Sequence, residues 1–186
     1  MTLGNVDANL VNAFATALRD DALRVVSVLP DAMNPAGDFS VVIGGGTIWI
    51  PHRIYHDPAQ IEFDRLTQTQ AVLLACLLTR HHSGFVRAEY LARILYRDDE
   101  WIPPFVVQLV GEYVVEIVKL IRDNLRSLNP ETYRHFLIRN AAFYRMKTSR
   151  VQSYWDCYYR SEDQEEYAGF QVVKYFDQLI EDQTPQ

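Results

Sequence analysis

Phe63-Asp64-Arg65-Leu66-Thr67-Gln68-Thr69-Gln70, running into the apolar stretch Ala71 to Leu78, is the segment on which the fold of this chain turns. Thr67 and Gln70 have the spacing of a capping box, in which two side chains satisfy backbone N–H groups that the first turn of a helix leaves unpaired. The apolar stretch therefore predicts a helix over 71–79, closed by His81-His82-Ser83-Gly84. On its other side, Ile61, Phe63 and Leu66 alternate with Glu62 and Asp64, the period of a half-buried strand over 60–65. Further upstream, Phe39 to Ile43 and Thr47 to Ile50 are β-branched and aromatic runs joined by Gly44-Gly45-Gly46, which predicts a β-hairpin rather than a phosphate cradle, since no GK[ST] follows. Asn9 to Val28 carries Leu10, Phe14, Leu18, Leu23, Val25 and Val26 at helical spacing and predicts one amphipathic helix.

Downstream, Val86 to Tyr96 reads as a short helix and Phe105 to Leu128 as one long helix ended by Pro130. Phe136 to Ile138 and Phe143 to Met146 read as short strands around Asn140-Ala141-Ala142, and Val151 to Tyr159 and Tyr167 to Ile180 as helices. The expected fold class is α+β and mostly helical. A helical extension over 1–38 precedes a central domain over 39–150, and an acidic, aromatic-rich helical extension over 151–186 follows it.

A strand leading into three helices and then a hairpin is the order of a winged helix. Residues 63–70 with Leu73-Leu74 resemble the strand-to-helix junction "LT-x-x-E-x-x-LL" of OmpR-type effector domains, and Val86-Arg87-Ala88-Glu89-Tyr90-Leu91 resembles that family's "V-S-R-E-x-L" second helix. Val114, Ile117, Val118, Ile121, Arg122 and Leu125 fall where its third helix has apolar positions and an arginine, with Val118 and Ile121 matching better than Ile117, and Leu137-Ile138-Arg139 through Phe143-Tyr144-Arg145 resembles its wing. The resemblance covers about residues 39 to 148 and implies a winged helix-turn-helix with an N-terminal β-hairpin, acting as a DNA-binding transcriptional regulator. Three departures stand beside it. The third helix offers Glu112, Tyr113, Val115, Glu116 and Lys119 where the family presents DNA-reading side chains, the expected wing is shorter and lacks the family's glycines, and no receiver domain of the family's size precedes residue 39.

Charge carries the rest of the functional reading. The net charge is −6, yet residues 101–150 carry eight basic and four acidic side chains and residues 151–186 two and eight. Lys119, Arg122 and Arg126 recur at helical spacing, and Arg139, Arg145, Lys147 and Arg150 crowd the expected wing. These seven are the candidate contacts to the phosphates of double-stranded DNA. The alternative is a protein-interaction module that has lost DNA binding and uses Glu112, Val115 and Glu116, with Tyr158, Tyr159 and Phe170 of the aromatic tail packing on the domain or on a partner in a homodimer.

No enzyme is expected. Cys76 lies inside an apolar run, where a thiol is neutral and inert, and it is far in sequence from Cys157, so both are read as free thiols of a reducing compartment. The pairs His52/His56 and His81/His82 lack the ligand context of a metal centre, and no cofactor loop is present, so neither metal nor cofactor is expected. With neither a signal-peptide pattern at the start nor a membrane-length apolar run, the expected location is cytoplasmic, with no membrane partner.

Overall fold

The structure is a computed structural model that describes residues 8–161 and 163–182; Glu162 and the outermost residues of the two expected extensions, 1–7 and 183–186, lie outside the described residues. The chain is mostly helical with a two-stranded antiparallel sheet, and it divides into two compact units between Ile94 and Leu95, within the segment expected to form one domain.

In the first unit, α1 (Ala8–Val11) and α2 (Arg19–Ser27) replace the single helix expected over 9–28. The interruption has a local cause. The Trp49 amide donates to the Asn12 carbonyl at 2.9 Å, and Ala15 is extended at φ −60° and ψ 151°, so the chain turns aside before a second turn of α1 can close. The hairpin forms as the sequence predicts: β1 (Asp38–Ile43) pairs with β2 (Gly46–Pro51), Ser40 opposite Trp49 and Ile43 opposite Gly46. Gly44 and Gly45 at φ +54° and +80° make the primed turn that matches strand twist. Val41, Ile43, Ile48 and Ile50 face the core.

The strand expected over 60–65 is absent. Pro58–Gln60 and Phe63–Arg65 are 3-10 turns, the first capped by Asp57, whose carboxylate accepts from the Ala59 amide at 3.0 Å. The sheet offers this segment no partner strand. The alternation in its sequence reflects a buried Ile61 and a Phe63 ring stacked 6.0 Å from Tyr90. The capping box, by contrast, is complete: the Gln70 amide donates to Thr67 Oγ1 at 3.2 Å and the Thr67 amide to Gln70 Oε1 at 3.1 Å, opening α3 (Gln68–Leu78). Gln70 Nε2 also donates to Asp21 Oδ1 at 2.8 Å, tying α3 to α2. Every residue from Val72 to Leu78 is buried, Cys76 among them, and α4 (Gly84–Ile94) packs on α3 through Tyr90, Leu91 and Ile94.

The second unit is built around α5 (Pro103–Val110), all eight residues of which are buried. The expected long helix 105–128 breaks at Gly111, and α6 (Val115–Asp123) starts anew, burying Ile117, Val118 and Ile121. A Cβ on Gly111 would lie 3.2 Å from Arg150 Cβ, so the break is also where residue 150 packs close against the backbone. Pro130, read as a terminator, instead occupies the first turn of α7 (Pro130–Arg139). Asn129 caps that helix, accepting from the Glu131 and Thr132 amides at 3.1 Å.

The expected wing is therefore not a hairpin. Residues 136–138 lie in α7 and 143–146 in α8 (Ala141–Tyr154), with Asn140 between them donating twice to the Phe136 carbonyl at 3.0 Å. The deciding pattern is longer than the three- and four-residue runs. Tyr133, Phe136 and Leu137, then Phe143, Tyr144, Lys147 and Val151, are buried at helical intervals that no pair of short strands would produce. After α8 the backbone widens into a π-helical turn, Trp155–Tyr159, and the tail ends in α9 (Ala168–Glu181), which packs on α6, α7 and α8. No helix among the described residues is long and apolar enough to cross a membrane.

Candidate nucleic-acid interface

The basic side chains singled out by the sequence lie in the second unit but on several elements. Lys119 is exposed on α6, and Arg126 is exposed on the 3-10 turn that follows, Leu125–Ser127. Arg122 is half-buried and ion-paired with the exposed Asp123, Nη2 to Oδ1 at 2.7 Å, so a phosphate would have to compete with that carboxylate. Arg139 ends α7, and Arg145 and Arg150 stand exposed on α8. Helical geometry places Arg145 and Arg150 about 140° apart, at about 100° per residue. Between them the outward stripe of α8 carries Ala142, Ser149 and Ser153 together with Met146, 49% exposed.

Lys147 must be withdrawn from this set. It is 1% exposed, its Nζ 4.6 Å from the centre of the Phe143 ring, and it faces inward on the same side of α8 as Tyr144 and Val151. Its basic neighbours in sequence point outward; one residue type in one charge run serves two environments. Among the described residues, none of Lys119, Arg126, Arg139, Arg145 and Arg150 is paired with a carboxylate. Arg65, Arg93, Arg97 and Arg160 are each paired, with Glu62, Glu89, Asp99 and Asp156. Among the described residues, no carboxylate of the acidic tail forms an ion pair with these exposed cations.

Of the residues expected to form a protein-binding surface, Glu112 is 4% exposed and cannot present its carboxylate to a partner; Val115 is half-buried and Glu116 exposed. The tail residues do come together. Tyr159 stacks on Tyr167 at 5.1 Å, Tyr167 meets Phe170 edge-on at 5.8 Å, Trp155 meets Phe170 at 5.9 Å, and Tyr158, 70% exposed, stacks on Tyr154 at 6.4 Å. The π-helical turn makes this possible: one extra residue per turn moves the rings of residues 155–159 off the register α8 would impose. Single-turn π segments leave no period in a sequence, so the aromatic composition was legible and its geometry was not.

The first unit holds a polar cluster that composition hid. Arg80 and Arg87 are fully buried, Arg80 donating to the carbonyls of Pro51 at 3.2 Å and His52 at 2.9 Å, and Arg87 Nη1 to those of His81 at 2.9 Å and His82 at 2.8 Å. His81, 3% exposed, accepts the Ser83 amide at Nδ1 and lies 4.2 Å, ring centre to ring centre, from His82. Burial, then the neighbouring His82, holds the His81 imidazole below its ordinary value, against an opposing hydrogen bond with the His56 backbone. These groups clamp the β2-to-α4 corner through main-chain carbonyls. Among the described residues no three His, Cys, Asp or Glu side chains converge as metal ligands. No protein-family model, no curated protein and no solved structure matches this chain.

Proposed function

We propose that the second unit binds double-stranded DNA through its phosphates. The observation that carries this reading is the set of exposed cations Lys119, Arg126, Arg139, Arg145 and Arg150, unpaired among the described residues, in a protein whose net charge is negative. Keeping five like charges unpaired on one unit costs self-repulsion, which a polyanion relieves. Arginine suits this use, because its planar fork meets phosphate oxygens bidentately. The transcriptional regulator implied by the OmpR-type resemblance would need such binding, but its contacts here come from helices; a wing on the backbone is no part of the reading. The short α6, with Glu116 in its first turn, is poorly suited to base edges, so binding is read as tolerant of sequence.

A protein-interaction role is the second reading, favoured by Tyr158 standing 70% exposed on the aromatic turn. Fluorescence anisotropy with random duplex DNA over a salt series separates the two. Under the first reading binding weakens steeply with salt, and R139A/R145A/R150A flattens the log–log slope by about 0.9 for each phosphate no longer neutralised. Absence of binding at low salt overturns the first reading and leaves the second.

A further inference from the structure

The outer side of α9 is the counterpart of the basic face. An open groove of about 750 Å³ runs along it, bordered by Phe170, Tyr175 and the carboxylates of Glu165, Asp177 and Glu181, with Lys174 the one cation among its described lining residues. Asp163, Glu166 and Asp182, exposed nearby, deepen the negative potential. The inner side of α9 is committed, since Val172, Phe176 and Leu179 are buried, and the exposed Asp177 at the edge of the groove accepts the Tyr144 hydroxyl at 2.8 Å. On α7 and α8 the exposed arginines are interspersed with two exposed apolar side chains, Ile138 at 45% and Met146 at 49%. One unit therefore carries a cationic face with apolar anchors and an anionic groove with aromatic walls.

We propose that these two surfaces are made for each other across molecules: the α7–α8 face of one copy docks in the α9 groove of a second copy. Arg139 and Arg145 meet Glu165 and Glu181 as charge-assisted hydrogen-bonded pairs, and Ile138 and Met146 cover the rings of Phe170 and Tyr175. The two surfaces differ, so the contact is heterologous, each copy donating one face and accepting on the other. The acidic groove then stands where phosphates would, and self-association and DNA compete for the same arginines. Only that competition rests on the DNA-binding reading; the docking itself is tested without DNA.

The test is sedimentation equilibrium of the intact chain across a concentration series at low salt, then toward about 1 M, where the Debye length shrinks to about 3 Å. A mass rising above 21.6 kDa with concentration and returning to it at high salt is the expected result. R139E/R145E alone and E165K/E181K alone are each expected to remain monomeric at low salt with unchanged circular dichroism, because all four residues are exposed. Mixing the two variants restores the complex, because the intact groove of the first meets the intact face of the second and the reversed surfaces pair as well. A monomer at every concentration of the unaltered chain overturns the proposal. So does association that both variants retain, or a mixture that stays monomeric. Loss of DNA binding with self-association intact overturns the DNA reading alone, and the reverse outcome overturns this one alone.

Discussion

His81 sits at the junction of α3 and α4 with its ring against His82 and its carbonyl bound by the buried Arg87, an environment that favours the neutral imidazole. Its value is lowered on folding, so below about pH 6.5, the ordinary value in the unfolded chain, the unfolded state binds the proton more readily than the folded one. Stability from this group is full above that pH and is lost as the pH falls from 6.5 toward the folded value. Urea midpoints measured between pH 7 and 5 are expected to fall, and to fall less in H81Q, which cannot titrate; equal slopes in the two proteins would contradict the account. Lys147 supports a second prediction at this scale. K147A is expected to lower stability by about 2–4 kcal/mol, the range for emptying a buried long side chain, and to leave the salt slope of DNA binding unchanged, whereas R145A does the opposite. Sequence alone does not separate Lys147 from Arg145 and Arg150. All three are cations in one run, and what divides them is the inward side of α8 shared with Phe143, Tyr144 and Val151. Thr67 and Cys76 were legible because their partners lie within a few residues, at Gln70 and in the leucines alongside.

Elements were legible where a local signal closed on itself. The Gly44-Gly45 turn between β1 and β2, and the capping box of α3, are satisfied by neighbours in sequence and formed as expected. The readings that failed depended on distant chain: residues 60–65 alternate like a strand but meet no strand, and the expected long helix yields at Gly111 to the approach of α8. Residues 136–146 are short apolar runs, which period alone does not assign to strand or helix, and the cap at Asn129 with Pro130 after it was the signal that decides them. Gly169 provides a test at this scale. It lies in the first turn of α9, where alanine ordinarily favours a helix, yet a Cβ there would lie 2.7 Å from Val151 Cγ1 and from Tyr167 Cε1. G169A is thus expected to destabilise by about 1–3 kcal/mol, against its propensity, because α8 and α9 must part to admit it. A thermal melt in which G169A gains stability would mean that the two helices are not packed as described.

At the scale of the molecule, the tail beyond residue 150 changes meaning. The sequence presents it as an extension that follows a finished domain; in the structure it completes the core of the second unit. Val172 and Phe176 are fully buried and Leu179 nearly so, Tyr133 and Tyr144 lay their rings against Phe176 at 5.8 and 6.2 Å, and Val151 closes on Gly169. Each large apolar side chain so buried contributes on the order of 1.5–3 kcal/mol, and a domain's whole margin is only about 5–15 kcal/mol, so losing α9 removes stabilisation comparable with the margin itself. A chain ending at Arg150 is therefore expected to lose the cooperative unfolding of the second unit and to bind a hydrophobic dye, while the hairpin-bearing first unit keeps its own transition. A truncated chain that melts with both transitions intact would show that α9 is dispensable. The same reasoning fixes how the basic face has to be probed: deletion of the acidic tail confounds charge with folding, whereas reversing the exposed Glu165 and Glu181 alters the charge of the acidic groove while leaving Val172 and Phe176 in place.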